Sequence, residues 1–190
     1  MGIIESNFLD VLYSIIESGN YPTGKSLCDK RIENYFTIIN IHAYPEYADS
    51  NLQTKVNNFA ADVNRIYATA QAHKDGGSRM WITETGVSSY HGNGNPRNED
   101  TAAELFRLTL DKIDNELTYI DTVITYKVAD ISSDNGATLV ESGYGLFYAG
   151  DDLDHDPYTA KPIAKTVYSY FNDGTTDYSA LDDLASRYDG

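Results

Sequence analysis

Three short apolar runs, set between stretches of helical spacing, constrain this chain more than any other feature. They fall at residues 35–41, 80–83 and 122–128. The first is apolar nearly throughout and does not alternate, the pattern of a parallel strand covered on both faces. Between the runs, apolar residues recur three and four positions apart. Val56, Phe59, Ala60, Val63, Ile66, Tyr67 and Ala70 mark one helix; Ala102, Leu105, Phe106, Leu108, Leu110 and Ile113 mark the next. Ser50 or Asn51 is placed to cap the former and Asn98 the latter. A leading helix carries Phe8, Leu9, Val11, Leu12, Ile15 and Ile16, with Ser6 or Asn7 as its cap and Gly19 and Pro22 as its stop. A closing helix opens at Lys161-Pro162, proline being favoured in a first turn. Alternating helices and strands joined by right-handed crossovers make a parallel α/β assembly.

The remaining stretches read as connections. Residues 86–97 form a long surface loop with Gly92, Gly94 and Pro96. Residues 131–157 are rich in Asp, Ser and Gly, interrupted by Gly145-Leu146-Phe147-Tyr148. Residues 172–190 are a polar, acidic tail in which Leu181 and Leu184 can dock on the body. The 190 residues suffice for one domain with its own core.

A formal net charge of −15 argues against nucleic acid and against anionic membrane surfaces as partners. No apolar run approaches the roughly 20 residues that span a bilayer. The first residues lack a basic region followed by an apolar one, so no secretion signal is visible; extracellular location is expected only if the full-length protein carries one. A single cysteine, Cys28, rules out an intramolecular disulfide. No Cys and His spacing points to zinc, and no metal or cofactor is expected. The 16 tyrosines suit a site that uses ring faces and phenolic hydroxyls together.

The strand ends carry the chemistry. In a parallel barrel the C-terminal ends of all strands open on one face. Trp81-Ile82-Thr83-Glu84-Thr85-Gly86 runs from an apolar strand into a lone carboxylate. Ile41-His42-Ala43-Tyr44-Pro45 ends the first run, with His42 and Tyr44 two apart and so on one side of an extended chain. Tyr126 ends the third and Asp130 lies just beyond it. A glutamate at such a position can attack an anomeric carbon. A tyrosine hydroxyl can hold that carboxylate oriented and ionised, and His42, Tyr126 and Asp130 can meet sugar hydroxyls or ring faces. His91 and His155 read as solvated loop residues, and His73 as a complement to a helix C-terminus.

These motifs, followed by Tyr144-Gly145-Leu146 and Lys161-Pro162, resemble the C-terminal part of clan A glycoside hydrolases, in the style of families five and thirty-nine, cellulase-like and xylosidase-like (β/α)8 enzymes. The resemblance runs over residues 7–171. It implies a partial (β/α)8 TIM barrel, strands six to eight with flanking helices, and a carbohydrate substrate. It makes Glu84 the catalytic nucleophile of a retaining mechanism, Tyr44 its contact and His42 a liner of the sugar site. Tyr126 stands where the family has a tryptophan platform, a departure that bears on sugar preference. A second departure is larger: the family's acid/base glutamate follows an asparagine on an earlier strand, and Asn115-Glu116 lies instead within a helical pattern. The resemblance therefore implies a chain that begins just after the fifth strand. Such a chain is inactive alone, and it self-associates or pairs with an N-terminal barrel portion. The alternative is a non-catalytic carbohydrate-binding or scaffold derivative. An unrelated parallel α/β binder is disfavoured, because no glycine-rich phosphate loop follows any strand.

Overall fold

The structure, a computed structural model, describes residues 2–19, 37–73, 75, 77, 79–91, 95–131, 138–150, 156 and 158–187. The elements are α1 (Gly2–Ser18), β1 (Ile38–His42), α2 (Leu52–Ala72), β2 (Arg79–Thr85), α3 (Glu99–Glu116), β3 (Ile120–Thr125), β4 (Lys127–Ala129), α4 (Leu139–Ser142), β5 (Gly145–Phe147), α5 (Pro162–Phe171) and α6 (Ser179–Ser186). Strands β1, β2 and β3 form a parallel sheet in that order, and β4 and β5 a second parallel pair. The architecture is mixed α/β, with parallel strands and helices.

Two clusters hold the helices to the sheet. Leu9, Tyr13 and Ile16 of α1 meet Phe59, Val63 and Ile66 of α2 over Ile39, Ile41, Met80 and Ile82. Val56 joins Ala102, Leu105, Phe106 and Leu110 of α3 and Ile163 of α5. Each such side chain contributes about 1.5–3 kcal/mol when fully buried. Alternation sends Asn40 and His42 to the other face of β1. Asn40 pairs in register with Trp81, and Trp81 with Thr122. That face is mixed in character rather than uniformly apolar: Ile124 is 46% exposed, and the buried Trp81 Nε1 has no hydrogen-bond partner among the described residues.

Several local expectations are corrected. Helix α1 begins at Gly2, so Ser6 and Asn7 lie inside it rather than at its start. Ile3 and Ile4 extend its apolar spacing upstream. Asn51 sits at the N-cap of α2 in left-handed backbone (φ 60°) and makes no side-chain cap bond. Asn98 does cap α3, accepting from the Thr101 N–H at 2.9 Å. The first strand is Ile38–His42, and residues 35 and 36 lie outside the described residues, as do Pro22, Cys28 and His155. The third run breaks at Tyr126 into β3 and β4. The connection after it holds α4, opened by a capping box between Thr138 and Glu141. The polar tail carries α6, whose Leu184 and Ala185 line a small apolar pocket with Val128, Ala129, Phe147 and Tyr158.

Candidate functional site at the strand ends

Because the three strands are parallel, their C-terminal ends meet on one side of the sheet. His42 pairs with Glu84 across β1 and β2, after a register shift that follows Ile41. The Ala43 N–H donates to the Glu84 carbonyl (3.0 Å), which carries the pairing past the end of β1. The Tyr126 N–H donates to the Thr85 carbonyl at 2.9 Å, and so links the end of β3 to the same point.

The side chains follow this framework. The Tyr44 hydroxyl donates to Glu84 Oε2 at 2.9 Å. His42 Nδ1 lies 3.2 Å from the same oxygen. Neither holds Oε1. The Glu84 side chain is 32% exposed and that of His42 45%, so the carboxylate is reachable from solvent. Burial, and then donation to the Glu84 carboxylate, push the Tyr44 phenol well above its ordinary ionisation range. It therefore stays protonated and donating across neutral pH.

Three tyrosine rings gather beside this carboxylate. Tyr44 meets Tyr126 at 6.1 Å between centroids and Tyr144 at 5.3 Å; Tyr126 and Tyr144 are 5.6 Å apart. All three contacts are edge-on, the arrangement that matches a ring's positive rim to a neighbour's negative face. Lys127 Nζ lies 4.8 Å from the Tyr126 ring centroid while donating to the Glu141 carbonyl. A Cβ on Gly86 would stand 3.4 Å from Tyr144 Cδ1, so the chain just past Glu84 runs close under that ring.

The structure thus brings together Glu84, His42, Tyr44 and Tyr126. It adds Tyr144, which was legible only as part of the Tyr144-Gly145-Leu146 run. Asp130 is engaged elsewhere. Its carboxylate accepts from the Gly145 N–H at 2.7 Å and from Lys161 Nζ at 3.0 and 3.2 Å, with only 11% of the side chain exposed. The described partners of Asp130 are thus an ion pair and a backbone donor, as expected of a residue that holds the loop, and its expected contact with a sugar hydroxyl stands as an expectation. Asn115 and Glu116 lie in α3, where Glu116 pairs with Lys112. His91 packs edge-on against Tyr47 at 5.2 Å, and Arg97 lies over the same ring at 4.5 Å. Among the described residues no group of three or more His, Cys, Asp or Glu is placed to hold a metal, and no helix is long and apolar enough to cross a membrane.

Residues 25–145 match the glycosyl hydrolase catalytic core family. The chain belongs to that family. The match contains His42, Tyr44, Glu84, Tyr126 and Tyr144. No curated protein matches this glycosyl hydrolase core by sequence. Among solved structures it is similar to a GH2 β-galacturonidase from Eisenbergiella tayi bound to galacturonate, at 14% identity over 72% of this chain and 24% of that one, with a TM-score of 0.50. It is also similar to the Faecalibacterium prausnitzii β-glucuronidase, at 11% identity over 76% of this chain and 23% of that one, with a TM-score of 0.50. At these identities the likeness is one of fold. The chain spans about a quarter of the length of those proteins.

Proposed function

We propose that this glycosyl hydrolase core acts on a poly- or oligosaccharide by a retaining mechanism with Glu84 as nucleophile. The observation that carries the reading is the single oxygen Oε2 held by both Tyr44 and His42 at a strand end. A carboxylate held in this way keeps its orientation, and Oε1 remains to attack the anomeric carbon. The bond from the anomeric carbon to the leaving oxygen breaks as the glycosyl–carboxylate ester forms. Water then cleaves the ester and restores the carboxylate. In this reading β1, β2 and β3 are the sixth, seventh and eighth strands of a (β/α)8 barrel. The order of the motifs favours the style of families five and thirty-nine. Tyr126 and Tyr144 supply apolar faces for a sugar ring.

Retaining hydrolysis needs a second carboxyl group about 5–5.5 Å from the first to protonate the leaving group. The groups that meet Glu84 are a phenol and an imidazole, and Glu116 is committed to Lys112. In this reading the acid/base group comes from outside the described residues, on the earlier barrel strand that the resemblance implies, and the chain alone is inactive on unactivated glycosides. A 2,4-dinitrophenyl 2-deoxy-2-fluoroglycoside, whose leaving group needs no proton, tests the nucleophile directly. Incubation with gluco-, galacto- and xylo-configured reagents followed by peptide mass mapping is expected to find a glycosyl adduct on Glu84 with at least one of them. The adduct is expected to be absent in Glu84→Gln. An adduct on a different carboxylate, or none with any reagent, would overturn the assignment.

A further inference from the structure

Lys161 is 1% exposed, the deepest charged side chain among the described residues, and the chemistry above makes no use of it. Its ammonium donates to both oxygens of Asp130 and to the Gly143 carbonyl at 3.1 Å. Its own N–H donates to the Leu146 carbonyl at 3.0 Å. Asp130 accepts the Gly145 N–H, and the Asp130 N–H donates to the Phe147 carbonyl at 2.9 Å. The pair thus grips the chain on both sides of Tyr144, at the carbonyl of residue 143 and the amide of residue 145. The Gly143 carbonyl also accepts from the Ser89 N–H at 2.9 Å, which ties the same point to the loop that follows Glu84. The grip is close. A Cβ on Gly145 would stand 2.1 Å from the Asp130 nitrogen, and one on Gly143 would stand 2.6 Å from Tyr90 Cδ2. Tyr144 is the residue between them whose side chain reaches the Tyr44 and Tyr126 rings.

We propose that the buried Asp130–Lys161 pair is a positioning device for the Glu84 site. It sets Tyr144 against Tyr44, and Tyr144 is a wall of the sugar site whose place depends on that pair. The wall role rests on the reading of Glu84 as the centre of a sugar site. A surface pair would give no such control. A buried one does, because a charge kept from water demands its partner in fixed geometry. Burial is also what pushes the Asp130 carboxyl upward, against the pull of Lys161.

The test has two readouts. In the first, the chain is labelled throughout with 3-fluorotyrosine, and the fluorine resonances of Tyr44, Tyr67 and Tyr144 are assigned from single phenylalanine variants. Lys161→Met and Asp130→Asn are expected to shift the Tyr144 and Tyr44 resonances together. Tyr67, stacked on Tyr119 at 3.8 Å and packed against the cluster of α1 and α2, is expected to stay in place. A role confined to stability would lower the melting temperature and leave all three resonances where they are. In the second readout, the fluoroglycoside concentration that gives half-maximal labelling of Glu84 is expected to rise roughly tenfold in Tyr144→Ala and in Lys161→Met, the loss of about one ring contact. The limiting labelling rate is expected to stay within about threefold, since the wall binds the sugar and takes no part in the chemistry.

Folded variants with unmoved Tyr44 and Tyr144 resonances, or with unchanged half-saturation, would overturn the proposal. If Lys161→Met does not fold, Asp130→Asn decides in its place, because it keeps an acceptor for the Gly145 N–H while it removes the charge and turns the second acceptor of the Lys161 ammonium into an amide donor. Failure of the wild-type chain to form any adduct would overturn the glycosidase reading, and the wall role with it. The resonances would still decide whether the pair positions Tyr144.

Discussion

Glu84 shows how much a single residue depends on its neighbours. Its carboxylate is reachable from solvent, yet one oxygen is fixed by a phenol and an imidazole brought from a different strand end. Hydrogen bonds to charged groups are worth about 1.5–3 kcal/mol. Tyr44→Phe removes one of them, so the rate of glycosyl transfer to Glu84 is expected to fall by about 10- to 100-fold. Single-turnover labelling at saturating reagent reads this directly, and an unchanged rate would show that Tyr44 does not orient the carboxylate. The sequence made Glu84, His42, Tyr44 and Tyr126 legible because each sits at or next to the end of an apolar run. The ion pair of Asp130 was not legible, for the complementary reason. Its partner Lys161 is 31 residues away, and proximity in sequence to Tyr126 says nothing about where a carboxylate finds a buried cation.

At the scale of elements, caps and latches decide local stability. Asn98→Ala removes the acceptor for the Thr101 N–H at the start of α3 and is expected to cost about 1 kcal/mol in a denaturant melt. Helix α1 is held to α2 partly through His73, whose Nε2 faces Asp10 at 2.9 Å and whose Nδ1 faces Glu17 at 3.1 Å. Its ring stacks on Tyr13, which in turn donates to Asp75. The hydrogen bond to Asp10, aided by Glu17 and opposed by burial, raises the His73 pKa above 6.5. A raised folded-state pKa means that the stabilisation is full below 6.5 and is lost as pH rises through the higher folded value. Thermal melts from pH 6 upward are therefore expected to show a decline of about 1 kcal/mol that is missing in His73→Gln. A rise in stability over that interval would contradict the latch. This arrangement was only half visible beforehand: the helix-end position of His73 was legible from spacing, but its carboxylates lie 56 and 63 residues away on α1. Strand β3 teaches the same lesson. One apolar run became two strands because the Tyr126 N–H makes the last bond to β2, at the Thr85 carbonyl, and the residues beyond it pair with β5 instead; run length alone does not report such a change of partner.

For the whole molecule, the order of helices and strands was readable from periodicity, since every long helix and each strand of the sheet falls on a run of the expected spacing. What spacing could not supply is the character of the sheet's second face, where Asn40, Trp81, Thr122 and Ile124 lie. With that face uncovered by α1–α3 and with β1 and β3 at the sheet edges, the isolated chain is expected to self-associate or to pair with another polypeptide segment. Light scattering after size exclusion at low micromolar concentration is then expected to give a mass above 21.1 kDa, and a sharp monomer peak would show that the face needs no cover. The proposed function makes Glu84 the nucleophile and brings the proton donor from outside the described residues. Its most direct measurement compares turnover by the isolated chain of a 2,4-dinitrophenyl glycoside with that of the matching methyl glycoside. General acid catalysis is worth about 10²–10⁴-fold and matters only for the poor leaving group. The account predicts release of dinitrophenol that disappears in Glu84→Gln, with no detectable cleavage of the methyl glycoside. Comparable turnover of both substrates, or dinitrophenol release that survives Glu84→Gln, would contradict it.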